Sequence, residues 1–147
     1  MPPFLSGDIM NPIGLYLHIP FCNGKCPYCD FYSVNPENEK VTAYVDALCR
    51  EIDKADGVYN TVYFGGGTPS LIGSDNIAKI MSHINRTPDC EATLECNPSD
   101  TGAANSMFDF SVVAKSGINR ISMGLQSADN SERKILGRRG GCDDVER

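Results

Sequence analysis

The chain has 147 residues, enough for one domain with a sizeable buried core. Hydrophobic residues are 41% and charged residues 22%, an ordinary globular balance, and the formal net charge is −6. That charge excludes a dedicated nucleic-acid binder, which would carry a basic footprint, and no apolar run approaches the roughly 18 residues of a membrane span. The opening MPPFLSGDIMNP lacks the basic start and apolar stretch of a secretion signal, so a cytoplasmic location is expected.

Gly14 to Ile19, GLYLHI, alternates apolar and polar residues and predicts a first strand. A loop with three cysteines follows, to about Asn35. Pro36 to Ala55 predicts a helix, because Val41, Tyr44, Val45, Leu48 and Ile52 recur at helical spacing behind a proline suited to a first turn. Thr61 to Phe64 is β-branched and aromatic, a second strand, and GGGTPS breaks it. Ser74-Asp75 caps a helix to about Ile84, with Ile77, Ile80, Met81 and Ile84 on one face. Ala92 to Glu95 predicts a short third strand, and Asn97 to Asp100 a turn and cap. A third helix runs to about Lys115 and ends at Gly117. Asn119 to Met123 predicts a fourth strand, and Ser127 to Leu136 a fourth helix.

Strands alternating with helices predict an α/β fold of about four βα units, with a parallel sheet, outer helices and right-handed crossovers. In such sheets ligands bind beyond the carboxyl ends of the strands. The unusual segments all fall there: the cysteine loop, GGGTP, Glu95 and Gly124-Leu125-Gln126.

Cys22, Cys26 and Cys29 form a C-x3-C-x2-C run within one loop. Thiolates are the ligands of iron–sulfur clusters, and close spacing lets one loop hold three corners of a cubane with little closure entropy. An electron-transfer cluster wants four thiolates; here Asp30 follows the third. Three ligands leave one iron open to substrate, which points to chemistry at the cluster. A zinc site completed by His18 or a distant cysteine, or plain reactive thiols, are the alternatives that spacing leaves open. Cys49, Cys90, Cys96 and Cys142 are scattered and read as small apolar residues.

Gly65-Gly66-Gly67-Thr68-Pro69 permits close backbone approach to a ligand, or is simply a turn. Glu95, at a strand end, is either solvated or placed to bind an ammonium group or a ribose hydroxyl. Gln126 offers donor and acceptor, and Arg138 a fork for a carboxylate. Tyr16, flanked by apolar residues, reads as core; Tyr28, between two cysteines, can pack on an adenine. His18 shares the strand face of Tyr16 and suits a supporting role, while Lys25 and Arg120 read as surface or loop charges.

A C-x3-C-x2-C directly after the first strand of a βα series resembles the radical SAM superfamily. There the amine and carboxylate of S-adenosylmethionine chelate the open iron, and reductive cleavage yields methionine and a 5′-deoxyadenosyl radical. LYLHIPFCNGKCPYCDFYS, VYFGGGTPSLI, TLECNP, INRISMGLQS and LGR together resemble its coproporphyrinogen III oxidase-like branch, from Gly14 to Arg138. Members that are oxygen-independent coproporphyrinogen III dehydrogenases typically carry a fourth cysteine in a C-x-C; here Cys29-Asp30-Phe31 stands instead, which resembles the heme chaperone (HemW) group.

The resemblance implies a partial radical SAM (βα) barrel with a [4Fe–4S] cluster on Cys22, Cys26 and Cys29. It implies S-adenosylmethionine contacts from Tyr16, Tyr28, Gly66, Gly67, Thr68, Glu95, Gln126 and Arg138. It further implies heme or porphyrin as a ligand, a heme-recipient protein and an electron donor, with coproporphyrinogen oxidation in porphyrin biosynthesis as the alternative activity.

Two departures accompany it. Gly140 stands where the family has a histidine after LGR, and the family's core continues past the position of Arg147. Residues 1–147 are thus expected to form the N-terminal part of a radical SAM core, with GCDDVER opening a further helix and little product chemistry from these residues alone. An unpaired fourth strand would then make the isolated chain poorly stable. A cooperative high-temperature melt of the 147 residues would overturn that expectation.

Overall fold

The computed structural model describes residues 13–100 and 108–138. Its strands are β1 (Gly14–Ile19), β2 (Tyr59–Gly66), β3 (Arg86–Cys96) and β4 (Arg120–Met123). The helices are α1 (Asn38–Ala55), α2 (Ser74–Ser82), α3 (Phe110–Lys115) and α4 (Asn130–Ile135), with short 3₁₀ turns at Pro69–Ile72 and Pro98–Asp100. The four strands lie in chain order and every pair is parallel, so their carboxyl ends share one edge. This is the predicted α/β arrangement of strands alternating with helices. Among the described residues no helix is long and apolar enough to cross a membrane.

Side-chain alternation divides the sheet into two faces. Leu17, Ile19, Val62, Phe64, Ala92 and Leu94 are buried. They join one core with Val41, Val45, Cys49 and Ile52 of α1, Ile77, Ile80 and Met81 of α2, and Val113 of α3. The other face carries Tyr16, Thr61, Tyr63, Glu91, Glu95 and Arg120, and much of it is open. Arg120 pairs there with Glu91 at 3.1 Å as an exposed charge.

Tyr16 does not pack in the core as its apolar neighbours suggested. It falls on the open face, 57% exposed, because alternation puts Leu15 and Leu17 on the helix side. Its ring stacks on Tyr63 with centroids 6.1 Å apart, and its hydroxyl lies 3.3 Å from His18 Nδ1.

Boundaries shift where local chemistry intervenes. α1 starts at Asn38, since Glu37 stays extended as its cap. β3 is far longer than Ala92 to Glu95. Its polar front, RTPDCE, hides the strand from a pattern search, and an irregularity between Tyr59 and Thr61 leaves that front pairing with β2 only at its two ends, Arg86 with Tyr59 and Glu91 with Thr61. α4 starts late because Ser127 and Asp129 are spent on its cap: the Asp129 carboxylate accepts from Ser131 N at 2.7 Å. Hydrogen bonds from Ser131 hold that carboxyl below its ordinary range. The first part of the expected third helix, Gly140, Cys142 and the GCDDVER helix lie outside the described residues.

Leu94 is completely buried at the centre of the core. Leu94→Ala is expected to cost about 2–5 kcal/mol in denaturant unfolding, whereas Tyr16→Ala on the open face costs about 1 kcal/mol or less.

Candidate functional site

The loops that follow the four strands meet around one cavity of about 350 Å³. Cys22, Cys26, Tyr28, Cys29, Gly66, Gly67, Thr68, Glu95, Gln126 and Arg138 all line it. Ten of the eleven site residues expected from the sequence, separated by over a hundred positions, therefore share one wall. Tyr16 does not line the cavity; it stands against it through Tyr63, whose hydroxyl donates to Glu95 Oε1 at 2.6 Å. That hydrogen bond, followed by burial and the Glu95 charge, raises the Tyr63 hydroxyl above its ordinary range. The phenol thus stays protonated at neutral pH and holds the carboxylate in place.

The cysteine loop is fastened at both ends. Phe21 bridges Val34, Cys22 N donates to the Val34 carbonyl at 3.0 Å, and Val34 N donates to the Pro20 carbonyl at 2.7 Å. Between those ties Cys29 N donates to the Cys26 carbonyl at 3.0 Å, a tight turn through Pro27 and Tyr28. All three thiols are partly exposed and free. Among the described residues no three His, Cys, Asp or Glu side chains converge to hold a single metal ion. Cys22, Cys26 and Cys29 all line the cavity, and three thiols from one loop are a donor set that suits a multi-iron cluster.

The glycine segment is shaped by the protein before any ligand. Gly67 N donates to the Ile19 carbonyl at 2.8 Å and Thr68 N to the Phe21 carbonyl at 2.7 Å, so β1–β2 pairing runs on into the loops. A Cβ on Gly67 would lie 2.5 Å from the Phe21 oxygen; one on Gly66, at φ +116°, would lie 2.7 Å from the His18 ring. Close approach to a ligand was the expected reason for these glycines, and the nearer reason is the neighbouring backbone and ring.

Arg138 reaches back from the end of α4. Its Nη1 donates to Cys26 Sγ at 3.5 Å and to the Tyr28 hydroxyl at 3.4 Å, and its Nη2 to Asn97 Oδ1 and the Gly124 carbonyl. Its Nε is buried without a partner. Gly137 makes this reach possible: it turns left-handed at φ +67°, and a Cβ there would lie 2.9 Å from Pro27. Leu-Gly-Arg is therefore a helix stop that seats an arginine on the cysteine loop. Gln126 takes a left-handed φ of +71°, unusual for a residue with a side chain, and buried Arg133 donates to the adjacent Leu125 carbonyl.

Asn97 and Tyr63 were not singled out from the sequence. Asn97 reads as a turn residue beside Pro98, and Tyr63 as one more strand aromatic. The strand period would have found Tyr63, since it shares Glu95's face. Cys49 and Cys90 behave as read: both are buried, and burial raises their thiols.

The profile of the Radical SAM superfamily matches residues 16–147, and the chain belongs to that superfamily. Curated relatives include "Heme chaperone HemW" of Buchnera aphidicola subsp. Schizaphis graminum, 39% identical over 139 residues, covering 88% of this chain and 36% of the relative. "Heme chaperone HemW" of Escherichia coli K12 is 36% identical over 148 residues, covering 94% and 38%. "Anaerobilin synthase" of Escherichia coli O157:H7 is 36% identical over 135 residues, covering 84% and 29%. The chain thus spans about a third of these relatives' length. A solved structure described as coproporphyrinogen III oxidase (HemN) from Escherichia coli, a radical SAM enzyme, superimposes with a TM-score of 0.77 at 25% identity, covering 91% of this chain and 32% of that one.

The contact of Gly67 with the Phe21 carbonyl is backbone against Cβ, so neither side can yield cheaply. Gly67→Ala is expected to cost about 1–3 kcal/mol of unfolding free energy and to speed alkylation of Cys22, read by denaturant titration and timed thiol labelling.

Proposed function

We propose that this chain is the cluster- and S-adenosylmethionine-binding part of a heme chaperone of the HemW type. Residues 1–147 form the N-terminal part of its radical SAM core. The observation that carries the reading is the meeting of Cys22, Cys26 and Cys29 with Thr68, Glu95 and Arg138 around one cavity at the carboxyl edge of the sheet. Cys29-Asp30-Phe31, without a fourth cysteine, and the HemW relatives support the chaperone over the oxidase.

In this reading Cys22, Cys26 and Cys29 would hold a [4Fe–4S] cluster, three ligands for four irons. When bound, the cluster supplies the electron for cleavage of the S-adenosylmethionine sulfonium. The chain's own residues bind and orient. Carbonyls of Gly66 and Gly67 accept from the methionine ammonium beside Thr68, and Glu95, steadied by Tyr63, takes an ammonium or ribose hydroxyl. Arg138 is the partner for the methionine carboxylate. Tyr28 packs on the adenine beside Gln126, and Tyr16 backs the site from behind Tyr63. Heme or porphyrin, a heme-recipient protein and an electron donor belong to the whole protein, placed in the cytoplasm.

Anaerobic reconstitution is expected to give about four iron and four sulfide per chain without zinc, and Cys→Ser at any of the three positions to abolish that uptake. On the longest chain carrying this segment, heme titration should give stable binding with no decarboxylation of coproporphyrinogen. Conversion to protoporphyrinogen would replace the chaperone reading with the oxidase, and zinc in place of iron would sink both.

A further inference from the structure

Asn97, in the loop after β3, lies between two groups of the proposed site. Its Oδ1 accepts from Arg138 Nη2, and its Nδ2 donates to Thr68 Oγ1 at 3.1 Å. The amide orientation is forced. A guanidinium has donors only, so the amide oxygen must face Arg138 and the amide nitrogen Thr68. A hydroxyl that already receives a hydrogen bond has its own proton to give, and Thr68 Oγ1 donates to Cys22 Sγ at 3.9 Å. Thr68 is 4% exposed, which limits competition from solvent for that proton. At the other end of the chain of contacts, Arg138 Nη1 donates to Cys26 Sγ at 3.5 Å.

An unbroken path therefore runs from Cys22 to Cys26 through Thr68, Asn97 and Arg138, three residues brought in by three different loops. Gly124 keeps it compact: a Cβ there would lie 3.0 Å from Arg138 Nη2 and 3.2 Å from Asn97 Oδ1. Packing alone does not need an amide here. A donor and an acceptor on one short side chain are what the path requires.

We infer that Asn97 is a positioning residue that directs two hydrogen bonds onto cysteine sulfurs and thereby sets the reduction potential of the cluster those cysteines hold. The inference rests on the functional reading above. Hydrogen bonds to ligand sulfurs favour the electron-richer reduced state, so they raise the potential. Asn97→Asp keeps the acceptor for Arg138 and removes the donor to Thr68. The Thr68 hydroxyl then turns to the new carboxylate, and Cys22 loses its donor. The added negative charge lowers the potential as well, and Thr68→Val separates the two effects, since it removes the same donor without charge.

The experiment is a redox titration of the reconstituted cluster, with iron content measured on each sample. It compares the parent, Asn97→Asp, Thr68→Val, their combination and Asn97→Ala. Iron content is expected to stay at the parent level, because all three cysteines remain. Asn97→Asp and Thr68→Val each move the potential to more negative values. The Asn97→Asp shift shrinks in the Thr68→Val background, where only the charge is left to act. Asn97→Ala, uncharged, also lowers the potential by freeing Arg138 from Cys26, and it decides the matter if Asn97→Asp does not load. Equal Asn97→Asp shifts in both backgrounds, or an unmoved potential in Asn97→Ala, would overturn the inference while leaving the functional reading intact. A parent chain that takes up no cluster would overturn both.

Discussion

Two backbone hydrogen bonds govern this architecture. Gly67 to Ile19 and Thr68 to Phe21 carry the pairing of the first two strands past their ends. Without them the cysteine loop and the glycine segment would be separate irregular connections. With them, the loop that carries the thiols and the loop that carries Thr68 are one extended piece of sheet. The requirement propagates: such close pairing leaves no room for a Cβ at Gly67, and the turn that follows must bury Thr68 against Cys22. The site's geometry is therefore inherited from sheet geometry, which is stiffer than loop geometry.

The sheet itself works because its faces are chemically unequal. Aliphatic residues and three helices saturate one side, and tyrosines with charged residues occupy the other. Helix packing fixes strand spacing and twist without drawing on any residue of the site. The tyrosine face can then organise Glu95 through Tyr63 rather than through the core. Core and tyrosine face thus lie on opposite sides of one layer, and the Gly67–Ile19 and Thr68–Phe21 pairs tie the cavity to both.

Much of this was legible in the chain. Helical spacing in α1 and α2 and the β-branched run of β2 are dictated by burial, and burial writes a period into sequence. The segments at the carboxyl edge could be placed because parallel topology sends every strand end to one side. Where reading stopped, the cause was local. The polar front of β3 buries Cys90 alone, too little to write a period. Tyr16 looks apolar in context because its neighbours face the core while it does not. Asn97 carries no pattern at all, since its role lies in partners 29 and 41 positions away. Of the glycines, the sequence indicated that space was needed and left open what would fill it.

Phe21 and Val34 close the cysteine loop at its base. Drawing together the ends of a loop of about a dozen residues costs on the order of 2 kcal/mol of chain entropy. Backbone groups alone meet that cost, with Cys22 N on the Val34 carbonyl and Val34 N on the Pro20 carbonyl. No cysteine side chain takes part in the closure. A thiol in this loop can therefore be exchanged for a hydroxyl without opening the loop that carries it.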